Sequence, residues 1–242
     1  MENAPVIRLF GYNVPPEIEE KYNNWTTEVY LPNLVKRTPV NEIDRYHIIK
    51  KDTAYPDYFN LWHIDNVENY YKALESPFLT DVRKDVDITF NKREVVWDAL
   101  YYPMRSFRHS RSSIKEREVT TIENASFVLI EAFRLTPEEE VKYAEWCVRY
   151  ANRIYIPLLM KIPGVKGYDR YRIAGLPAFY KPRESKYPSY LQILYFENEK
   201  AFEECEKSPE LASYKKAMKS DISDGLVPQW YVQYQLVKSF RK

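Results

Sequence analysis

Few side chains in this sequence could move a proton at neutral pH. It holds three histidines, His47, His63 and His109. His47 and His63, with the acid Glu131 and the phenols Tyr30 and Tyr155, are the candidate catalytic groups. An imidazole or carboxylate can take a proton, and a phenol can donate one or orient a carbonyl. Arg8, Arg45, Arg170 and Arg172 could stabilise an enolate or phenolate, with Asp98 as an acidic neighbour. Tyr12, Tyr102, Tyr195 and Tyr231 suit the walls of a site for a planar, oxygenated ligand. Plainer readings stand beside these. A histidine on a strand is more often structural or solvent-facing, and His109 lies in a charged stretch that reads as surface. Glu131 sits in an otherwise apolar run, so it is either paired with an arginine or functional.

Composition narrows the partners. The chain has 242 residues and net charge +1, which argues against a nucleic-acid or acidic-membrane partner. No apolar run reaches the ~18–20 residues of a membrane span. Five glycines leave no glycine-rich phosphate loop, so no nucleotide cofactor is expected. Two cysteines and three scattered histidines disfavour a metal site. The first residues lack the basic and apolar regions of a secretory signal, so the expected location is the cytoplasm. The aromatic content is high, 22 Tyr, 11 Phe and 5 Trp, and exceeds what a repeated core alone would use.

The elements that must position these residues occur twice. Pro16–Trp25 matches Pro137–Trp146 at an offset of 121 residues, and Tyr30-Leu31-Pro32 and Asp44-Arg45-Tyr46 match Tyr155-Ile156-Pro157 and Asp169-Arg170-Tyr171 at 125. Ser76-Pro77 matches Ser208-Pro209 at 132, and Trp97 and Tyr101 match Trp230 and Tyr234 at 133. Collinear blocks of this kind indicate a tandem duplication: a first unit 1–107, a linker 108–124 and a second unit 125–242. The drift in offset places the extra residues of the second unit in its loops. Because Asp44-Arg45-Tyr46 recurs, it reads as a fold element before a site.

Each unit reads as βαββαβ, the ferredoxin-like order. Strands are expected at 6–10, 43–49, 58–64 and 95–102, and at 127–133, 168–173, 190–196 and 229–237. Thr136-Pro137-Glu138-Glu139 marks a helix start, and Tyr143, Trp146, Cys147, Tyr150 and Ile154 form its apolar stripe. A second helix is expected at 67–82 and at 199–218. Strand alternation then assigns faces. Small aliphatics (Val128, Ile130, Ala132) are expected under the helices, as are Tyr46, Tyr171, Leu194 and Phe196. Arg8, Phe10, Tyr12, Glu131, Arg45, His47, Arg170, Arg172, His63, Tyr195, Asp98, Tyr102, Tyr231, Gln233 and Gln235 are expected on the other, helix-free face. That face must be buried, and the other unit is the expected cover. The fold class is therefore α+β, two ferredoxin-like units packed sheet to sheet as an intramolecular dimeric α+β barrel.

The run Ile154-Tyr155-Ile156-Pro157-Leu158 … Pro163-Gly164-Val165 … Tyr168 resembles a stretch of EthD-type dimeric α+β-barrel proteins. Tyr195-Phe196-Glu197-Asn198-Glu199-Lys200-Ala201 with Ser208-Pro209-Glu210 is similar to their third strand and second helix. Around the first proline, bacterial chalcone isomerases are also similar. The resemblance implies a barrel whose interior binds organic molecules. Tyr30 and Tyr155 stand where such proteins often carry a histidine, so a histidine mechanism is not carried over. Duplicated barrels that hold haem use a histidine in the second copy, and this second unit has none.

The function expected is a cofactor-independent isomerase, cyclase or lyase. It would act on a small aromatic or polyketide-like molecule by acid–base proton transfer. Two alternatives stand beside it: a cofactor-free monooxygenase of an activated phenol, and a non-catalytic ligand-binding or stress-response protein. The expected state is a monomeric pseudo-dimer, open to further homo-oligomers through its sheet edges.

Overall fold

The computed structural model describes residues 4–52, 54–90, 92–108, 125–175, 187–223 and 228–242. The first half runs β1 (Val6–Asn13), α1 (Pro16–Trp25), a π-helical segment π1 (Thr26–Tyr30), α2 (Leu31–Arg37), β2 (Glu42–Ile48), β3 (Tyr58–Ile64), α3 (Val67–Leu74), α4 (Pro77–Thr89) and β4 (Glu94–Arg108). The second repeats that order: β5 (Phe127–Phe133), α5 (Pro137–Trp146), π2 (Cys147–Tyr155), α6 (Ile156–Leu159), β6 (Val165–Gly175), β7 (Tyr190–Phe196), α7 (Glu199–Glu206), α8 (Pro209–Ile222) and β8 (Trp230–Arg241). Of the expected linker, Arg108 ends β4, and 109–124 lie outside the described residues.

Local sequence sets the helix ends. Thr136 and Glu139 form a reciprocal capping box ahead of Pro137. The expected second helix is two helices in each half. Ser76 and Ser208 accept hydrogen bonds from the backbone N–H of Leu79 and Leu211, and Pro77 and Pro209 occupy first-turn positions, so each Ser-Pro starts a new helix.

The first helix departs from α geometry at π1 and π2. Trp25 and Tyr30 bracket π1, whereas Trp146 and Tyr155 bracket the nine residues of π2. The four extra residues of the second half at this point are therefore absorbed inside the helix, where a loop was expected. The wider turn also redirects the apolar stripe. Tyr143, Trp146 and Cys147 are buried as expected, but Tyr150 and Ile154 are 43% and 47% exposed, and Ala151 and Ile156 are buried in their place.

Within each half the strands pair antiparallel in the same relative order, β4-β1-β3-β2 and β8-β5-β7-β6. The full hydrogen-bonded order is β1-β3-β2-β8-β5-β7-β6-β4, a closed barrel of eight strands. The compact units are not the two sequence halves taken whole. The end of β4 from Pro103 belongs to the second unit, and the end of β8 from Leu236 to the first. Each unit has a core between its helices and one sheet face, with Trp62, Tyr70 and Leu34 in the first and Phe127, Trp146, Phe202 and Tyr214 in the second. No helix among the described residues is long and apolar enough to cross a membrane.

Candidate functional site

Alternation along the strands is regular, but for three strands of each unit the observed face is the reverse of the expected one. Phe127, Leu129 and Phe133 pack with Tyr143, Trp146 and Phe202 beneath the helices, so Glu131 faces the helices too. Phe10 and Tyr12 pack with Tyr22 of α1, and Arg8 lies over Tyr70 of α3. Arg45 reaches Asn23 and Thr27, Arg170 reaches Asn152, and Arg172 reaches Glu140, all on the first helices. Asp98 is held by Arg8, Tyr102 packs on the first core, and Tyr231 bonds to Glu206 and Lys215 of α7 and α8. Gln233 and Gln235 share that face, opposite Leu129 and Phe127. The reason is physical. A buried charge needs polar partners, and the first helices supply acceptors to Arg45 and Arg170. The opposite face mixes Ile7, Leu9, Val128, Ile130 and Ala132 with its own charges, Asp44 beside His63 and Asp169 paired with Arg108. In β3 and β7 the expectation matches, with Leu194 and Phe196 under the helices and His63 and Tyr195 away from them.

This reversal assembles a site in the second unit. Tyr231, Glu131, Gln192 and Arg170 are direct cross-strand neighbours on β8, β5, β7 and β6, one polar residue per strand. Gln192 donates to Tyr143 Oη and accepts from Tyr214 Oη, both at 2.6 Å. Arg170 donates to Tyr168 Oη at 3.0 Å and to Asn152 Oδ1 at 2.9 Å. Tyr231 Oη donates to Glu206 Oε1 at 2.6 Å and accepts from Lys215 Nζ at 2.8 Å. Glu131 differs from all of these. It is 1% exposed, and its Oε2 has no hydrogen-bond partner among the described residues.

Electrostatics follow from that isolation. Burial pushes the Glu131 carboxyl up to about 7, with Lys215 opposing and Glu206 reinforcing the shift. Burial also raises the phenols of Tyr143, Tyr168, Tyr214 and Tyr231, so they stay protonated near neutral pH. Glu131 is thus the member of this cluster poised to gain or lose a proton there, the property a general base needs.

The remaining candidates are dispersed. His47 and His63 point to opposite faces of one sheet. His47 stacks on Tyr58 at 4.5 Å, while His63 Nε2 lies 3.4 Å from Asp44 Oδ2. Both belong to the first unit and Glu131 to the second. Tyr30 stacks on Trp25 at 5.2 Å. Tyr155 stacks on Trp146 and meets Tyr214 edge-on at 6.2 Å, which brings it to the rim of the Glu131 cluster. Tyr195 lies 5.8 Å from the Arg108 guanidinium on the opposite face. Gln192, Tyr143, Tyr214, Lys215 and Glu206 were not anticipated. Gln192 carries a signal that could have found it, an amide inside the apolar run Tyr190–Phe196 at the offset that matches Asn60. Among the described residues no group of three or more His, Cys, Asp and Glu side chains is placed to hold a metal.

No family model matches the chain, and no curated protein matches it. Solved structures do. A proposed monooxygenase from Fusobacterium nucleatum superposes with TM-score 0.68 at 9% identity, covering 100% of this chain and 96% of that one. An anthrone oxidase-like protein gives 0.64 at 11% identity, covering 100% and 94%. A variant chlorite dismutase from Candidatus Nitrospira defluvii gives 0.58 at 6% identity, covering 98% and 93%. At these identities the likeness is one of fold, and this chain has the α+β barrel fold of those proteins.

Proposed function

We propose that this protein is an enzyme of small-molecule metabolism that works by proton abstraction, with Glu131 as general base. The observation that carries this reading is the buried Glu131 carboxyl, unsatisfied at Oε2 and raised by burial to about 7. A buried polar atom without a partner calls for an explanation, and a substrate proton supplies one. The tyrosines around it favour a planar aromatic ligand with ionisable oxygens. Glu131 takes a proton from a phenol or enolisable carbon. Returning it at another carbon completes an isomerisation, and delivering it to an oxygen as its C–O bond breaks completes an elimination or dehydrative cyclisation with loss of water, without a cofactor. The repeated element order and offsets support reading the two halves as diverged copies, of EthD-like type.

A second reading is a cofactor-free monooxygenase. It is favoured by the names of the fold neighbours and by the same base, since a phenolate is electron-rich enough to react with dioxygen. The test is a screen of phenols and 1,3-dicarbonyl aromatics with wild type and Glu131→Gln, following product and oxygen together. Turnover with a pH limb near 7 that Glu131→Gln abolishes supports the base. Oxygen uptake matched to product selects the second reading. Equal turnover by Glu131→Gln overturns both.

A further inference from the structure

The first unit has a different surplus: two guanidinium groups, one fully and one mostly buried, without a carboxylate among the described residues. Arg45 is 1% exposed. It donates to Thr27 Oγ1 at 2.5 Å and to the backbone and side-chain oxygens of Asn23, all neutral, and its Nε has no partner among the described residues. Arg93, just before β4, donates to Tyr22 Oη at 3.1 Å, and its Nε is likewise buried without a partner among the described residues. The acids of this unit are engaged elsewhere. Asp98 is gripped by Arg8, Asp57 pairs with Lys51, and Glu19 accepts from Tyr58 Oη. Among the described residues no carboxylate pairs with Arg45 or Arg93.

The two cations converge on one phenol. Tyr12 is fully buried, Arg45 acts on its hydroxyl, and the Arg93 guanidinium lies 6.0 Å from its ring. Its ring stacks on Tyr58, which lies 4.9 Å below the Arg45 guanidinium, and meets Tyr22 edge-on, the residue that Arg93 holds. Arg93 also lies 5.4 Å from the Phe10 ring. A guanidinium does not shed its proton, so burial leaves a charge that only an anion can neutralise. The walls are aromatic: Phe10, Tyr12, Tyr22, Trp25 and Phe90 pack in one cluster. In the second unit the matching position to Arg93 is Leu226, so this pairing of cations belongs to the first unit's sequence alone.

We propose that the first unit binds an aromatic carboxylate, its carboxylate between Arg45 and Arg93 and its ring against the Tyr12 cluster. This site is separate from Glu131 and does not depend on that residue's role. The experiment is calorimetric titration and thermal shift at low salt with 1-naphthoate, neutral 1-naphthamide and inorganic phosphate. It uses wild type, Arg93→Gln, Arg45→Gln and Glu131→Gln. Naphthoate should raise the wild-type Tm, with naphthamide and phosphate well behind. Arg93→Gln should weaken naphthoate at least tenfold while its ligand-free Tm stays near wild type. Arg45 also ties β2 to the first helix, so the decision rests on Arg93 if Arg45→Gln unfolds. Glu131→Gln should bind as wild type does. Equal binding of naphthoate by Arg93→Gln overturns the proposal. So does naphthamide matching naphthoate, phosphate matching naphthoate, or loss of binding in Glu131→Gln.

Discussion

The same four positions across the sheet read Asp98, Phe10, Asn60 and Arg45 in the first unit and Tyr231, Glu131, Gln192 and Arg170 in the second. The arginine and the amide are common to both rows, and the acid has moved by one strand. In the first unit, Arg8 clamps Asp98 through two 2.7 Å bonds, and its guanidinium lies 4.5 Å from the Trp62 ring centroid. In the second, Leu129 stands at the place of Arg8, so Glu131 has no such clamp. The same strand pattern therefore holds a clamped carboxylate in one unit and an unclamped one in the other. A carboxyl is catalytic or structural according to the neighbour it is given.

Removing the clamp tests this contrast most severely. Asp98→Ala leaves Arg8 buried and unpaired and should cost about 3–5 kcal/mol, the usual penalty for breaking one side of a buried pair. Installing the second unit's residues together, Arg8→Leu with Asp98→Tyr, should recover much of that loss in denaturant midpoints. A double variant as unstable as the single one would show that the pair itself, and not the stranded charge, holds the unit.

Glu131→Gln comes next, and its sign is opposite. The folded carboxyl titrates near 7 against 4.5 unperturbed. Its contribution is fully present below about 4.5 and lost as pH rises to about 7, since burying the ionised form is costly. Glu131→Gln should therefore gain stability relative to wild type as pH rises from 4 to 8, by up to about 3 kcal/mol from a shift of that size. A pH-independent difference would mean that Glu131 is not held as a strained acid.

These effects show how far the sequence could be read. Residue patterns and repeat offsets located every strand and the first helix, whereas the second helix of each unit was expected as one and is two, because each Ser-Pro starts a new helix. The facing of β1, β2, β4 and their counterparts was not legible, because alternation gives two sets but not which set meets the helices. Small Val128, Ile130 and Ala132 look suited to helix packing, yet it is Arg45 and Arg170 that face the helices, where they find their acceptors. Glu131 stood out as an acid in an apolar run. Lys215 and Glu206 did not, since nothing on a helix surface says which strand residue it will cover.

What the halves share should break in both alike, at a smaller scale. Arg45 to Thr27 and Arg170 to Asn152 are matching bonds from strand to π-helical segment. Thr27→Val and Asn152→Ala each leave a buried guanidinium one acceptor short, at about 1–3 kcal/mol. Hydrogen exchange should rise first in the π-helical turns. A loss confined to one variant would separate the two halves where their geometry makes them equal.

The smallest effect lies at the outer end of the rows, where His47 stands in the first unit and Arg172 in the second. Arg172 meets Glu140 at 3.0 Å, and Glu19 holds the corresponding helix position near His47. Burial lowers His47 below its ordinary value, with Glu19 and Asp57 opposing. Its contribution to stability is therefore present above about 6.5 and lost as pH falls through the lowered value. His47→Arg should abolish that acid sensitivity and add an exposed ion pair to Glu19 worth about 0.5 kcal/mol. Glu131 titrates over an overlapping span with the opposite sign, so the comparison belongs in a Glu131→Gln background, with denaturant midpoints at pH 5, 6 and 7. There the residual slope should come from His47, and His47→Arg should flatten it. An unchanged slope would assign the acid sensitivity to another group and leave the two outer positions equivalent.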